Sequence, residues 1–146
     1  MGNRHRAREI AIQLLYQCNA AGAPLETVIE RYFEGRPVNP ETRAYAELIA
    51  EGTHQNVESI DAQLAAASLN WSLDRILLVD LTILRLAAFE ILFVDTAPAI
   101  VIDEAIRLAK RFSSQDSPAF INGVLDAICK SRPSHEVVAA APRGVS

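Results

Sequence analysis

Three polar residues in the middle of the chain have the spacing of a metal site. Glu51, His54 and Glu58 are three and four residues apart, so one helix would place them on a common face. Glu-x-x-His is the ligand motif of carboxylate-bridged metal bundles, but such a site needs a second copy and two further glutamates. The chain has no second copy, and its other histidines, His5 and His135, lie near the two ends. The pattern therefore favours an exposed helix face over a metal site.

The sequence also lacks the other residue patterns that are typical of catalytic sites. There is no G-x-S-x-G motif and no Cys–His arrangement, and the six glycines leave few places where backbone amides would wrap a phosphate. Cys18 and Cys129 stand alone in the sequence, which is typical of buried thiols in a cytosolic protein. We therefore expect no catalytic activity, no cofactor and no bound metal.

A cluster of basic residues near the start of the chain has the chemistry of an RNA contact. Arg4, Arg6 and Arg8 precede or open a helix whose buried stripe begins at Ala7, so some guanidinium groups must face away from the core. The planar guanidinium group binds phosphate through two parallel hydrogen bonds and stacks on bases. On this feature alone, a solubilising tip and an RNA-binding site are both open.

An aromatic residue in the last predicted helix is the second candidate for an RNA contact. At about 100° per residue, Phe120 lies roughly 75° from the centre of the apolar stripe, at the edge of the core. Gly123 lies next to it and leaves open space over the ring, where an unpaired base would stack. In the alternative, Phe120 packs into the core and Gly123 lets another helix approach closely.

Composition and charge limit the kind of nucleic-acid binding that the chain supports. Its 146 residues are 50% hydrophobic and 22% charged, which fits one compact domain with a core. The 14 Lys and Arg against 18 Asp and Glu give a net charge of −4, which argues against a protein that coats nucleic acid through bulk positive charge. Any RNA site must therefore be local.

No segment of the sequence is predicted to enter a membrane. The first residues are polar and basic with no long apolar stretch behind them, so we expect neither a secretory signal nor an anchor. The apolar run 86–94 is interrupted by Glu90 and is far too short to span a bilayer. We expect a cytoplasmic location.

Hydrophobic periodicity predicts helices along the whole chain and no sheet. The predicted helices cover 4–20, 25–34, 39–68, two segments of 73–94 with starts at Ser72 and Asp80, 98–112 and 117–131. Their buried stripes are predicted to consist of Ala7, Ala11, Leu14 and Cys18, of Val101, Ala105, Leu108 and Phe112, and of Ile121, Val124, Leu125 and Ile128. We therefore predict an all-α bundle of about seven helices, with one domain over 1–133 and a loose tail over 134–146.

Several ordered blocks of the sequence resemble the NusB family. They are Arg-x-Arg-Ala-Arg-Glu at 4–9, Leu15-Tyr16, Ile83-Leu84-Arg85, Asp103-Glu104-Ala105-Ile106, Leu108-Ala109-Lys110, Asp116-Ser117 and Phe120-Ile121-Asn122-Gly123-Val124-Leu125. The similarity extends over nearly the whole chain to about Arg132. Several blocks in the same order are much more specific than any one of them.

The resemblance implies an all-helical fold of two three-helix bundles with an extra helix. It also implies a role without catalysis, because NusB-like proteins pair with the ribosomal protein NusE and bind the boxA element of nascent ribosomal RNA transcripts. That complex joins elongating RNA polymerase and other Nus factors to suppress termination. The alternative is a NusB-like helical module that binds RNA or associates with itself and has no part in antitermination.

The resemblance also implies roles for individual residues. The RNA-binding positions of the family fall on Arg4, Arg6, Arg8, Lys110, Asp116 and Phe120. Tyr16 and Asp80 match positions on the surface that binds the partner protein. A tyrosine that some relatives carry near the end of the third long helix is missing from 67–69, where Trp71 offers either a substitute or a core contact. The negative net charge favours modest RNA binding by the chain alone, with a partner that extends the basic surface.

Overall fold

The computed structural model describes residues 2–68 and 72–131, and within these ranges every regular element is helical. The elements are α1 (Gly2–Ala21), α2 (Leu25–Phe33), α3 (Pro40–Gln55), α4 (Val57–Ser68), a 3₁₀ turn (Leu73–Arg75), α5 (Leu78–Phe93), α6 (Pro98–Phe112) and α7 (Ser117–Ser131). The prediction of an all-α fold is confirmed. The predicted tail 134–146, the predicted helix stop at Arg132 and the alternatives for Trp71 lie outside the described residues.

Local signals in the sequence set most helix boundaries. Gly22 follows α1 directly and Gly35 follows α2 after one residue, and both have a positive φ, of 68° and 71°. Glycine adopts this conformation without the steric cost that a Cβ brings, so it ends a helix readily. Pro40 opens α3, where the side chain of Asn39 accepts hydrogen bonds from two amides of the first turn at 2.8 and 3.4 Å. These starts and stops agree with the sequence patterns.

The prediction of one continuous helix over 39–68 is wrong, because the chain breaks at Asn56. Nδ2 of Asn56 donates to the carbonyl of Gly52 at 2.8 Å, and its backbone amide donates to the same carbonyl at 3.1 Å. An asparagine side chain that takes a nearby backbone acceptor competes with the helical hydrogen bonds. The break places Glu51 and His54 on α3 but Glu58 on α4, so the three polar residues do not share one helix face.

The segment 73–94 contains two elements, as predicted, but their boundaries differ from the prediction. The first element is only the short 3₁₀ turn, and the second begins at Leu78. Ser72 stands at the N-cap position of the 3₁₀ turn, as predicted, but its hydroxyl donates to the Asp74 side chain and accepts no capping hydrogen bond. Asp80 does not cap a helix, because it lies inside α5 with its side chain buried. The Asp80 carboxylate therefore contacts groups outside its own helix.

The long helix α5 lies at the centre of the fold, and eleven of its sixteen residues are buried. α1, α2 and α3 pack pairwise as one group of three, and α5, α6 and α7 pack pairwise as a second. α4 packs against α5 and α7, while α5 also contacts α1 and α3 and so joins the two groups. This arrangement confirms the expected two three-helix bundles with an extra helix.

The predicted apolar stripes of α1 and α7 are buried in full. On α6, Val101, Ala105 and Leu108 are buried, whereas Phe112 at the end of the helix is half-buried. The helices therefore pack with the faces that periodicity indicated. Across residues 2–68 and 72–131, no helix has both the length and the apolar character needed to cross a membrane.

Candidate nucleic-acid interface

Arg8, one of the three predicted RNA-binding arginines, lies in the interior. It is 4% exposed, and its Nε and Nη2 donate to the two carboxylate oxygens of Glu90 at 2.7 and 2.9 Å. The Tyr45 hydroxyl donates to the same carboxylate at 2.5 Å. Glu90 is itself only 1% exposed, so water does not weaken these charge-assisted hydrogen bonds. The structure therefore places Arg8 beneath the surface, away from solvent.

The Glu90 carboxylate controls the protonation of both of its partners. Burial lowers the pKa of Arg8, but the hydrogen bond and the charge of Glu90 outweigh burial, so that the net shift is upward. Burial, together with the charge and the hydrogen bond of Glu90, raises the pKa of Tyr45 to about 12. At neutral pH, Arg8 is therefore a cation and Tyr45 a neutral donor.

Arg4 and Arg6 reach the surface from the first turns of α1. The guanidinium carbon of Arg4 is 4.0 Å from the centroid of the Tyr45 ring, which is a cation–π contact. Arg4 and Tyr45 also line an open cleft of about 540 Å³ between α1 and α3. Arg6 is exposed, and its Nη1 is 3.5 Å from Oε1 of Glu9. These two arginines present positive charge to solvent at the N-terminal end of α1.

Glu9 joins the N-terminal end of α1 to the C-terminal end of α6. Besides Arg6, its carboxylate lies 3.3 Å from Nε2 of His5 on its own helix. The same carboxylate oxygen lies 3.5 Å from Nε of Arg111 in the last turn of α6. Glu104 makes a second link between the two helices, at 2.6 Å from Nδ1 of His5. The N-terminal end of α1 and the C-terminal end of α6, which both carry basic residues, are therefore neighbours although they are far apart in sequence.

Lys110, the predicted RNA contact on α6, is exposed on a different side of that helix from Arg111. Successive residues of a helix are about 100° apart, so the side chain of Lys110 leaves α6 in a direction about 100° from that of Arg111, which contacts Glu9 of α1. Lys110 shares its outer side with Asp103 and Arg107, which are 3.3 Å apart. Arg111, and not Lys110, makes the described contact with α1.

The other two predicted RNA-binding residues lie in the turn between α6 and α7 and in the first turn of α7. Asp116 is exposed and Phe120 is half-buried, and both line a cleft of about 350 Å³ whose opposite wall is the segment 75–77. Gly123 lies one turn further along α7, and no described atom comes within 4 Å of the position that a Cβ would take there. Within residues 2–68 and 72–131 no helix therefore packs over Gly123, whereas Phe120 itself packs partly against the core, as the alternative for that residue predicted.

Asp80, a predicted contact of the partner protein, lies in the wall of this cleft. It is 5% exposed, and its carboxylate accepts hydrogen bonds from the hydroxyls of Ser113 and Ser117 at 2.5 and 2.8 Å. These contacts tie the α6–α7 turn to α5. Tyr16, the other predicted partner contact, is 41% exposed on α1, and no described contact links it to Asp80. The structure therefore groups Asp80 with Phe120 rather than with Tyr16.

The sequence patterns did not predict the contributions of Arg111 and Tyr45 to this surface. A signal for Arg111 existed, because Glu104 and Arg111 are seven residues apart and so share a face of α6. No comparable signal existed for Tyr45. Its partner Glu90 is 45 residues away in another helix, and spacing along one helix does not report such pairs.

Comparison with known proteins agrees with the resemblance. The model of the NusB family matches residues 5–130. The transcription antitermination protein NusB of Sorangium cellulosum is 39% identical over 132 residues, which cover 90% of this chain and 94% of that protein. The protein of the same name from Streptomyces coelicolor is 41% identical over 138 residues, covering 92% of this chain and 97% of that protein.

Solved structures share the arrangement of helices. NusB from T. maritima is 32% identical, with a TM-score of 0.83, and the match covers 92% of this chain and 95% of that one. A chain from the crystal structure of antitermination factors NusB and NusE in complex with dsRNA is 27% identical, with a TM-score of 0.83 and coverage of 90% and 98%. With a family match over 5–130 and relatives near 40% identity over most of both chains, this chain belongs to the NusB family.

Proposed function

We propose that this chain is a transcription antitermination factor that binds boxA-type RNA of nascent ribosomal RNA transcripts together with NusE. The observation that carries the proposal is that Arg6 and Arg111 contact one carboxylate, that of Glu9, at 3.5 Å each. α6 leads from Arg111 into the turn that holds Asp116, and Phe120 lies in the first turn of α7 that follows. The C-terminal end of α6, which leads to the second predicted part of the RNA site, therefore lies beside the first part. The relatives support the class of function, since they are antitermination proteins and one related structure contains NusE and RNA.

Each exposed residue has a distinct role in this proposal. Arg4 and Arg6 bind phosphates through their planar guanidinium groups, and Lys110 adds a point charge. Phe120 stacks on an unpaired base at the rim of the cleft. Asp116 accepts hydrogen bonds from base amino or imino groups, because an ionised carboxylate is purely an acceptor. The combination favours single-stranded RNA, whose bases are accessible.

We assign Arg8 a supporting role in place of a direct RNA contact. Its charge compensates Glu90, and Glu90 accepts the hydrogen bond of the Tyr45 hydroxyl. The Tyr45 ring in turn lies under the guanidinium group of Arg4. Arg8 therefore supports RNA binding by keeping the platform of Arg4 in place.

The partner protein is proposed to contact the surface around Tyr16. An exposed aromatic side chain is a common anchor of protein interfaces, and Tyr16 is 41% exposed. Asp80 is too deeply buried to offer its carboxylate to a partner, because Ser113 and Ser117 occupy it. We assign Asp80 the role of holding the α6–α7 turn in the shape that the complex uses.

The net charge of −4 explains why a partner is part of the proposal. Few phosphates are neutralised by the chain alone, and a basic partner extends the surface that RNA meets. We propose that residues 1–133 act as one non-catalytic RNA-binding domain with 134–146 as a tail. In this proposal, the complex acts in the cytoplasm and reaches the RNA polymerase elongation complex through other Nus factors.

Titration of labelled single-stranded boxA-type RNA into the chain with NusE tests the proposal. Phe120→Leu keeps an apolar side chain but removes the π face, so we expect RNA binding to weaken by about 1–3 kcal/mol, the contribution of one base stack. Phe93→Leu is the matched control, because Phe93 is also half-buried but lies at the end of α5 and stacks on Phe89 at 5.4 Å. It should leave RNA binding unchanged.

Two results would contradict the proposal. Unchanged affinity in a folded Phe120→Leu variant would remove the stacking role. If the unaltered chain with NusE binds boxA-type RNA no better than a scrambled RNA, and sedimentation shows only self-association, the chain is a self-associating helical module.

A further inference from the structure

We infer that Arg111 is a phosphate-binding residue that connects the two parts of the RNA surface. The inference rests on the proposed function, because it requires RNA to lie on this face of the molecule. Neither the sequence patterns nor the resemblance gives Arg111 a role. The geometry of Glu9 and the exposure of the surrounding side chains assign it one.

Arg111 is held on two sides while most of its side chain remains in solvent. Its Nε is 3.5 Å from Oε2 of Glu9, and its guanidinium carbon is 5.2 Å from the centroid of the Phe112 ring. Its side chain is 61% exposed. A guanidinium group has five N–H donors, and Glu9 is the only carboxylate that pairs with Arg111 among residues 2–68 and 72–131. Donors therefore remain for a phosphate.

At this junction the cations are exposed and the carboxylates are covered. The side chains of Arg6 and Arg111 are 47% and 61% exposed. Those of Glu9 and Glu104 are 9% and 15% exposed. A polyanion that approaches this junction meets guanidinium groups first, while the carboxylates beneath them hold the arginines in position. The arrangement suits a phosphate group that lies across both arginines.

The position of Arg111 along the chain places it between the two parts of the site. Arg6 is on one side, across Glu9. On the other side, Ser113 follows two residues later and already contacts Asp80 in the wall of the Phe120 cleft. An RNA strand that runs from the end of α1 to Phe120 therefore passes Arg111.

Fluorescence anisotropy with labelled boxA-type RNA and NusE tests this inference through Arg111→Gln and a matched control, Arg43→Gln. Arg43 on α3 is 48% exposed, is paired with Glu47 at 2.7 Å and lies 4.4 Å from the centroid of the Phe33 ring, so it has the same kinds of contact as Arg111, but beside α2 and outside the proposed RNA surface. We expect Arg111→Gln to weaken binding about five- to tenfold and to reduce the slope of log affinity against log salt by about 0.7, the value for one phosphate of single-stranded RNA. Arg43→Gln should change affinity by less than about twofold.

The outcomes separate this inference from the proposed function. Equal losses in the two variants would mean that only overall charge matters, which overturns the role of Arg111. Unchanged binding by Arg111→Gln, with binding still weakened by Phe120→Leu, would overturn the inference and leave the proposed function intact. Failure of the unaltered chain to bind boxA-type RNA would overturn the proposed function itself.

Discussion

The N-terminal end of α1 and the α6–α7 turn support their exposed residues with different chemistry. At the end of α1, surface arginines depend on carboxylates from beneath: Glu9 contacts Arg6, and the pair of Arg8 with Glu90 holds the platform of Arg4. At the turn, Asp80 on α5 accepts hydrogen bonds from two serine hydroxyls. Long cationic side chains keep a fixed position only where a counter-charge holds them, whereas an aromatic ring needs only a rigid wall.

The contacts beneath the end of α1 and those at the α6–α7 turn also differ in which helices they connect. The supports of α1 join helices of both bundles, since Arg8 is on α1 of the first group and Glu90 is on α5 of the second. Ser113 and Ser117 tie the turn to α5, a helix of its own group. Damage beneath α1 should therefore lower overall stability first, and damage at the turn should affect the cleft and RNA binding more selectively.

The largest effect is expected from Glu90→Ala. This change leaves the Arg8 cation buried without its partner, which costs about 3–5 kcal/mol of unfolding free energy. Urea denaturation measures the loss. Glu47→Ala is the control, because it breaks the more exposed pair with Arg43 at 2.7 Å and should cost less than about 1 kcal/mol. Similar small losses in both variants would contradict the view that the α1 end depends on buried counter-charge.

A smaller effect is expected from Asp80→Asn, which weakens the acceptor of two serine hydroxyls. Hydrogen bonds to a charged group contribute about 1.5–3 kcal/mol each, and an amide oxygen retains part of this, so we expect a loss of about 1–2 kcal/mol in urea together with weaker RNA binding. Asp74→Asn removes an exposed carboxylate that also accepts from a serine, and it should change neither quantity. Unchanged RNA affinity in folded Asp80→Asn would show that the cleft does not depend on this contact.

The raised pKa of the Tyr45 hydroxyl predicts a loss of unfolding free energy in alkaline solution. Its pKa is raised from 10.0 to about 12, so the folded chain holds this proton more tightly than the unfolded chain. The resulting stability is complete below about pH 10 and is lost as pH rises toward 12. Urea denaturation at pH 9 and pH 11.5 should show a smaller alkaline loss in Tyr45→Phe than in the unaltered chain.

Tyr16→Phe is the control for this pH dependence, since Tyr16 is an exposed tyrosine outside the buried network. It should keep the full alkaline loss. If Tyr45→Phe and Tyr16→Phe lose stability equally between the two pH values, Tyr45 is not held by Glu90 in the way that the structure shows.

The smallest effect is expected from Glu9→Gln at the junction of the two regions, where overall charge and side-chain positioning predict opposite changes in RNA affinity. The substitution makes the chain more positive, which by overall charge alone strengthens RNA binding. We expect binding to weaken about two- to threefold instead, because Arg6 and Arg111 lose the carboxylate that positions them. Asp103→Asn gives the same change of charge at an exposed residue of α6 and should leave affinity unchanged or slightly tighter. Tighter binding by Glu9→Gln would contradict the positioning role.

Most of the fold was predictable because its signals are local. Gly22, Gly35 and Pro40 act within one turn of the helix ends that they define, and apolar periodicity identified the buried faces of α1 and α7. The break at Asn56 was missed because it depends on a side chain that competes for the carbonyl of Gly52. Pattern alone does not distinguish such an asparagine from an exposed one.

The site was less predictable because its charges pair across helices. Three arginines at the start of the chain looked equivalent, yet Arg8 turns inward because Glu90 lies beneath it. Likewise, Asp80 had the features of a helix cap, and only the packing of α5 against the turn shows that Ser113 and Ser117 occupy its carboxylate. Periodicity specified which face of a helix is buried, and it carried no information about which charges meet there.

In the proposed function, the end of α1 and the α6–α7 turn bind one RNA strand as a continuous surface. Single 4-thiouridine substitutions along a boxA-type RNA, crosslinked to the chain with NusE and mapped by mass spectrometry, test this continuity. We expect positions toward one end of the RNA to crosslink to peptides around Arg4 and Arg6, positions toward the other end to peptides around Phe120, and a position between them to the peptide with Arg111. Crosslinks from every position to only one of the two regions would contradict it.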